Sequence, residues 1–223
     1  MLLKNRSPLC PPFFRIALLI LICLPLHLSA DEQEENEAPP IDWSNPVVSR
    51  NFGEQLSAEQ SRPDLEQGFK TGQVAYYFAN YAEALQHWMP LAEQGYAAAQ
   101  ANIGWMYQAG LGLDVDIDKA RAWYEKAAKQ GHAVAQNNLA VLYEYGNGVK
   151  KDFTQAYALY LASARQAYRF AQYNLAILLL DGRGTERNLQ EAVNWLRKAS
   201  QQGVVKASRK LEELGVGLEQ QKD

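Results

Sequence analysis

The sequence predicts an all-α solenoid of stacked helix hairpins, with about nine helices. Three observations lead to this fold class. Ala99, Ala135 and Ala171 each precede a glutamine and lie 36 residues apart, and Ala207 continues the series before a serine. Apolar residues recur at helical spacing within each unit, and a pair of glycines interrupts each unit near its middle. Repeats of this length are typical of proteins in which each unit buries its apolar face on the next.

The first half of each unit is predicted to form a helix. In the first full unit, Ala99, Ile103, Met106, Tyr107 and Gly110 lie at positions i, i+4, i+7, i+8 and i+11. This spacing places their side chains on one side of an α-helix. Two glycines, separated by one residue, follow in each full unit and allow the positive φ angles of a tight reversal. We therefore expect a G-x-G loop between the two helices of each hairpin.

The second half of each unit is also predicted to be helical. It begins at Asp116, Asp152 or Asn188, whose short side chains can accept hydrogen bonds from the free amides of a helix start. A glycine suited to closing the helix is present as Gly131, whereas Ala167 replaces it in the next unit. Alanines 36 residues apart allow the two helices to cross closely, and we expect large aromatic side chains to fill the space beside the crossings. These aromatic residues are Trp123, Tyr124, Tyr160 and Trp195.

The period divides the chain into eight segments. Pro63 is expected to begin a divergent first hairpin that lacks the double-glycine loop, and a short last helix is expected to cap the stack. The predicted segments are a signal peptide (1–30), an acidic disordered linker (31–62), the divergent hairpin (63–98), three repeats (99–134, 135–170 and 171–206), a capping helix (207–216) and a tail (217–223).

The first thirty residues are typical of a secretory signal peptide. Lys4 and Arg6 give a basic start, residues 16–28 form an apolar run broken by Pro25, and Ala30 precedes an acidic stretch. The run is shorter than the roughly twenty residues of a spanning helix. We expect cleavage after Ala30 and a periplasmic or secreted protein. The alternative is an uncleaved membrane anchor.

Without its signal peptide the chain is acidic. The sequence has 22 basic and 25 acidic residues, and residues 1–30 contain three of the bases and none of the acids, so the net charge changes from −3 to −6. This balance argues against nucleic acid as a partner, because nucleic-acid binding requires a basic excess. Five acids within Asp31–Glu37, followed by prolines, predict the disordered linker. If the signal peptide is cleaved, we expect no direct membrane contact.

The units resemble the Sel-1-like repeats, a family related to the tetratricopeptide repeats. The resemblance rests on AQANIGWMYQAGLGLDVDIDKARAWYEKAAKQGHA, AQNNLAVLYEYGNGVKKDFTQAYALYLASARQAYRF and AQYNLAILLLDGRGTERNLQEAVNWLRKASQQGVVK, as these stand in the sequence. Departures are small: Ala140 and Ala176 replace the glycine seen as Gly104, and Leu179 replaces the tyrosine seen as Tyr107. The resemblance implies a right-handed α/α superhelix that acts as a protein-interaction scaffold, and it implies no particular partner.

The sequence contains no residue set typical of catalysis. Both cysteines, Cys10 and Cys23, lie in the predicted signal peptide, so an exported chain has neither a thiol nucleophile nor a disulfide. We expect His87 to be a partly buried helix residue and His132 to be a turn residue that follows Gly131. We therefore predict no enzyme activity and no cofactor.

A calcium loop is the one metal site that the spacing suggests. Asp114, Asp116 and Asp118 alternate, and Glu125 occupies the twelfth place counted from Asp114. The sixth place, where such a loop needs glycine, is Lys119. We therefore favour an acidic, capped helix start and predict no metal site.

Asparagine recurs next to the apolar stripe of each first helix, as Asn102, Asn138 and Asn174. One interpretation is a ladder that binds the backbone of a ligand. The interpretation that we favour is structural, with the amides satisfying loop carbonyls of the neighbouring unit.

The opposite side of each first helix contains the candidate binding residues. Positions three, seven and ten of a unit share one helical face, and the residue at position seven is apolar three times in succession. This face either packs on the adjacent first helices or forms a concave groove for a partner helix or extended peptide. The groove hypothesis names Trp105, Gln108, Asn137, Val141, Glu144, Tyr173, Ile177 and Leu180.

These observations favour a non-enzymatic scaffold or adaptor of the bacterial cell envelope with protein partners. One alternative is a membrane-tethered scaffold that retains its first segment. The other is an envelope hydrolase or a subunit of one.

Overall fold

The structure, a computed structural model, describes residues 63–216, so the predicted signal peptide, linker and tail lie outside the described residues. Within residues 63–216 the regular structure consists only of α-helices, which confirms the predicted all-α solenoid. The helices are α1 (Pro63–Tyr77), α2 (Tyr81–Glu93), α3 (Ala97–Ala109), α4 (Ile117–Lys129), α5 (Ala133–Tyr145), α6 (Phe153–Arg165), α7 (Arg169–Asp181), α8 (Leu189–Gln201) and α9 (Val205–Glu213).

Helix starts recur every 36 residues from α3 onwards. The helices α3 to α8 each have 13 residues. Each odd-numbered helix, called here a first helix, pairs with the following second helix through a short connection, which makes the two antiparallel neighbours. The first hairpin differs because α1 is longer and a three-residue turn, residues 78–80, replaces the glycine loop.

The predicted helix caps are present. Asp116, Asp152 and Asn188 are the N-caps of α4, α6 and α8, and each side chain accepts a backbone N–H bond from two or three residues later, at 2.9–3.1 Å. These bonds satisfy amides that have no partner within the helix. The capped starts therefore fix where each second helix begins.

The glycine loops also join neighbouring hairpins. The first glycine of each loop closes the first helix in the left-handed conformation. The second glycine packs on the preceding hairpin: a Cβ added to Gly184 would overlap the backbone oxygen of Phe153 at the start of α6. The sequence predicted the positive φ angles of these glycines, whereas the contact with the preceding unit was not predicted.

Alanines at the helix crossings have no exposed surface, as predicted. They are Ala84, Ala120, Ala156 and Ala192.

The aromatic residues beside these crossings divide into two groups. Tyr124 and Tyr160 are fully buried, whereas Trp123 and Trp195 stay half-buried. A lysine amine lies over each tryptophan ring, 3.9 Å from the Trp123 centroid and 4.2 Å from the Trp195 centroid. The tryptophans therefore fill less of the core than expected and keep one face towards the surface.

A relay of glutamine side chains connects consecutive hairpins. Gln136 of α5 donates to the Ala128 carbonyl of α4 at 3.4 Å and accepts a 2.8 Å bond from Gln166 at the end of α6. The same pair of bonds occurs at Gln100 and at Gln172. The glutamine of the repeated Ala-Gln pair therefore links three consecutive helices, which explains why it recurs in each full unit.

Candidate functional site

The candidate site is the row of side chains predicted on the first helices, called here the first-helix face. It comprises Trp105 and Gln108 of α3, Asn137, Val141 and Glu144 of α5, and Tyr173, Ile177 and Leu180 of α7. Two hydrogen bonds link neighbouring first helices: Trp105 Nε1 donates to the Tyr76 hydroxyl of α1 at 2.9 Å, and Asn174 Nδ2 donates to Asn137 Oδ1 at 3.2 Å. Trp105 also packs on the buried cluster that contains Val141 of α5, which links α3 to α5. The first helices therefore form one continuous layer.

The central helix of this layer is almost completely covered. Ten residues of α5 are buried, and among them are Asn137, Val141 and Glu144. Asn137 has no exposed surface, whereas Val141 retains 9% of its own. On α5 the predicted residues therefore form the floor of the layer, and protruding anchors are absent from this helix.

The asparagine ladder is part of this floor. Asn137 Nδ2 donates to Asn138 Oδ1 at 3.1 Å, and Asn174 of the next unit donates to Asn137. For Asn138 and Asn174 the partner is thus the side chain of Asn137, where loop carbonyls were expected, and Asn102 is buried outside this chain of bonds. The bond between Asn174 and Asn137 joins α7 to α5 and helps to fix the spacing of these two first helices.

Residues at position ten of the unit face their own second helix. Gln108 accepts a 2.9 Å bond from the Tyr124 hydroxyl, and Glu144 accepts a 2.8 Å bond from the Tyr160 hydroxyl. The third unit has Leu180 at this position. Leu180 packs on the apolar cluster that contains Leu196, the residue that corresponds to Tyr124 and Tyr160. This exchange of a polar pair for an apolar pair indicates that position ten contributes to hairpin packing in each unit, while Leu180 also keeps part of its surface exposed.

Glu144 also forms an ion pair with Arg183, which lies in the loop after α7. Arg183 lies 3.1 Å from Glu144 and 2.8 Å from Asp181. Burial raises the pKa of the Tyr160 hydroxyl, and the neighbouring Glu144 carboxylate adds to this rise, so the phenol remains a donor. The contact between Arg183 and Glu144 is charge-assisted, and it joins the loop after α7 to α5.

The remaining residues of the first-helix face are partly exposed. Trp105 packs against the buried cluster that contains Val141, and its ring is half-buried. Tyr173, Ile177 and Leu180 of α7 are half-buried as well. The face therefore presents apolar surface on α3 and on α7, separated by the covered helix α5.

The two histidines differ in their surroundings. His87 is partly buried on α2, as expected. His132 is the N-cap of α5, and its Nδ1 accepts a 3.2 Å bond from the Ala135 amide. Burial lowers the pKa of His132 to about 3, so the ring is neutral at physiological pH. The sequence placed His132 in a turn, and its capping bond was not predicted.

Three of the four acids with calcium-loop spacing, Asp116, Asp118 and Glu125, form ion pairs with side chains of α4. Asp116 caps α4 and lies 3.0 Å from the Lys119 amine, while Asp118 and Glu125 lie 3.2 Å and 3.8 Å from Arg121. The capped start that the sequence favoured is present. In residues 63–216 there is no cluster of three or more His, Cys, Asp or Glu side chains arranged to hold a metal ion. None of the helices within the described range combines the length and apolar character that crossing a bilayer requires.

The repeat model named Sel1 repeat matches three consecutive stretches, residues 97–132, 133–168 and 169–204. Residues 97–204 are three Sel1 repeats. The matched units have the predicted 36-residue length. They begin two residues before the predicted segment boundaries, at the first residues of α3, α5 and α7. Sel1 repeat proteins generally mediate protein–protein interactions and are typically non-enzymatic scaffolds.

Two solved structures share this repeat fold. A Sel1 repeat protein from Oxalobacter formigenes is 35% identical, with a TM-score of 0.62, and the match covers 68% of this chain and 62% of that one. The protein c5321, a protective antigen present in uropathogenic Escherichia coli strains and displaying an SLR fold, is 29% identical with a TM-score of 0.62, over 77% of this chain and 37% of that one. This chain thus matches less than two thirds of the length of either protein. The comparison with curated proteins finds no match.

Proposed function

We propose that this chain is a non-enzymatic adaptor of the bacterial cell envelope that binds a segment of a partner protein on its first-helix face. The observation that carries the proposal is the partly exposed apolar surface of Trp105, Ile177 and Leu180 in a layer whose central helix is otherwise covered. Half-buried apolar side chains beside a rigid floor are typical anchors for a helix or an extended peptide. The general protein-binding role of Sel1 repeats supports the same conclusion.

The spacing of the anchors sets the length of the partner segment. Packed helices lie about 8–10 Å apart, so α3 and α7, with α5 between them, are separated by roughly 20 Å. A helix needs about 13 residues to span this distance, and an extended strand needs about six. We therefore expect a short apolar segment of the partner to cross all three first helices.

The envelope assignment rests on residues 1–30, whose charge and apolar pattern is that of a signal peptide. Mass spectrometry of the protein purified from its native cell tests this part separately. A mature chain that begins at Asp31 supports export and cleavage. An intact N-terminal segment would instead support the membrane-tethered alternative.

Site-specific photo-crosslinking in native cells tests the binding face. A photoreactive amino acid replaces Ile177 on α7, and the matched control replaces Ala158, which is exposed on the second helix α6. We expect position 177 to capture a discrete partner and position 158 to capture none.

A serine variant distinguishes a binding role from a packing role. Ile177→Ser should abolish capture from a second photoreactive position at Leu180 while the protein remains folded. If Ile177→Ser lowers the melting temperature but leaves capture intact, the residue serves packing and the groove hypothesis fails.

A further inference from the structure

A second surface lies on the opposite edge of the hairpins from the glycine loops. It is an open cleft of about 450 Å³ between the C-terminal ends of α6 and α8. We call it the basic cleft, and its relevant residues are Arg165, Ala167, Trp195, Lys198, Gln201 and Gln202.

The cleft concentrates positive charge. Arg165 and Lys198 lie in the last turns of α6 and α8, and no acidic residue lines the cleft. Because the two helices of a hairpin are antiparallel, Asp152, Asp181 and Glu191 lie at the other edge, where second helices begin and first helices end. Asp152 therefore lies about a helix length from Arg165, roughly 20 Å, whereas Glu191 lies two turns before Lys198, roughly 10 Å along the axis of α8.

Trp195 gives the cleft an apolar wall in a fixed position. Its Nε1 donates to Glu191 at 3.3 Å, and the Lys198 amine lies 4.2 Å from the ring centroid. The ring remains half-buried, so it offers a face to a ligand next to a cation. Acidic peptide segments with an apolar residue match this combination of cations and aromatic surface.

Cations at helix C-termini also stabilise the helix dipole, so the charges alone prove no site. The first hairpins provide the comparison. Lys126 lies over Trp123 in the same way, but Glu93 occupies the position that corresponds to Arg165. Lys129 occupies the same position in α4, so the fold accepts either sign of charge there. Within residues 63–216, only the cleft between α6 and α8 has a cation at both of these positions, Arg165 on one second helix and Lys198 on the next.

Nucleic acid is a poorer match for the cleft. Its binding surfaces neutralise many phosphates along a basic stripe. Residues 63–216 contain 16 basic and 15 acidic residues, which is not a basic excess of that kind. Two cations beside one aromatic ring suit a short segment with one or two carboxylates.

We propose that the basic cleft binds an acidic segment of a partner protein, with its carboxylates on Arg165 and Lys198 and an apolar side chain on Trp195. This surface is separate from the first-helix face. The adaptor thereby joins two partners, and a failure of this proposal leaves the first-helix face untouched.

Fluorescence anisotropy with the exported chain tests the proposal. The probe is a labelled synthetic peptide of alternating Glu and Leu, and the same peptide with Lys in place of Glu is the control ligand. Arg165→Glu and Lys198→Ala each introduce the residue found at the corresponding position of another unit, Glu93 or Ala162, so the fold is expected to persist. We expect each variant to bind about five- to tenfold more weakly, and higher salt to weaken the wild type.

The matched control is Lys126→Ala, which removes the equivalent lysine over Trp123 and should leave the affinity unchanged. Equal weakening by Lys126→Ala, or equal binding of the Lys peptide, would overturn the proposal. Binding that appears only after Glu32, Glu34 and Glu35 are changed to Gln would show that the chain's own acidic run occupies the cleft, and would overturn the partner assignment. Displacement of the peptide by a single-stranded oligonucleotide at lower concentration would also contradict it.

Discussion

Mild acid should destabilise the hairpin α5–α6 through His132. The neutral ring caps α5 with its Nδ1 lone pair, and protonation would convert that acceptor into a donor facing the Ala135 amide. The charged ring would also lie in a site where only 9% of its surface is exposed. Both effects favour the neutral form of the ring in the folded state. Burial is the cause of the lowered pKa of His132.

The size of the effect follows from the two pKa values. The pKa of His132 is about 3 in the folded protein and 6.5 in its ordinary state, so the unfolded chain binds the proton first as the pH falls. The stabilisation is complete above about pH 6.5 and is lost progressively between pH 6.5 and pH 3. At pH 5 the loss amounts to about 2 kcal/mol, and it approaches about 5 kcal/mol at the lower end of this range.

Urea unfolding at pH 7.5 and pH 5 measures this loss. His132→Asn is the matched control, because asparagine retains a capping oxygen and does not titrate. His132→Tyr is a second control, since Tyr96 and Tyr168 occupy the same N-cap position in other units. The carboxylates titrate equally in the three proteins. We therefore expect the free energy of unfolding of the wild type to fall by about 2 kcal/mol more than that of either variant between pH 7.5 and pH 5. An equal pH dependence in all three would refute the reasoning.

Three further predictions concern the turns and the hydroxyl contacts, and chemical denaturation measures each of them. Ala167 has a φ of +63°, so Ala167→Gly should stabilise the protein by about 0.5–1 kcal/mol, and a loss of stability would contradict the left-handed assignment. Gly131→Ala should lower the free energy of unfolding by about 1 kcal/mol from backbone strain alone, because its Cβ would meet open space. Gly184→Ala should lower it by about 1–3 kcal/mol more, because its Cβ would meet backbone atoms, and equal losses in the two variants would count against the docked loop. Tyr160→Phe should cost about 1.5–3 kcal/mol and Tyr124→Phe about 0.5–1.5 kcal/mol, since their acceptors are a carboxylate and an amide, and the reverse order would contradict this assignment.

Period and local chemistry predict most of the fold. The 36-residue recurrence, the caps at Asp116, Asp152 and Asn188, and the glycine pairs all act within one unit, so the sequence is sufficient to place them. The same short-range rules gave the buried alanine at each helix crossing. These features depend on neighbours a few residues away, which a single unit already contains.

Contacts between units were harder to predict. The glutamine relay of Gln136 and Gln166 joins residues 30 positions apart, and the docking of Gly184 on Phe153 depends on the backbone of another hairpin. Helical spacing places Asn137 and Val141 on one face, but the depth to which neighbouring helices cover that face depends on side-chain sizes in other units. For the same reason the basic cleft, formed by two second helices, leaves no motif in either helix alone.

Hydrogen exchange followed by mass spectrometry tests most directly whether each hairpin is held by its neighbours. α5 has ten buried residues and lies between two hairpins, whereas α9 has two buried residues and, within residues 63–216, packs mainly on α8. In a stack stabilised by nearest neighbours the amides of α5 should be the slowest to exchange, and those of α9 should exchange far faster. Equal protection of α5 and α9, or slower exchange in α9, would contradict the account.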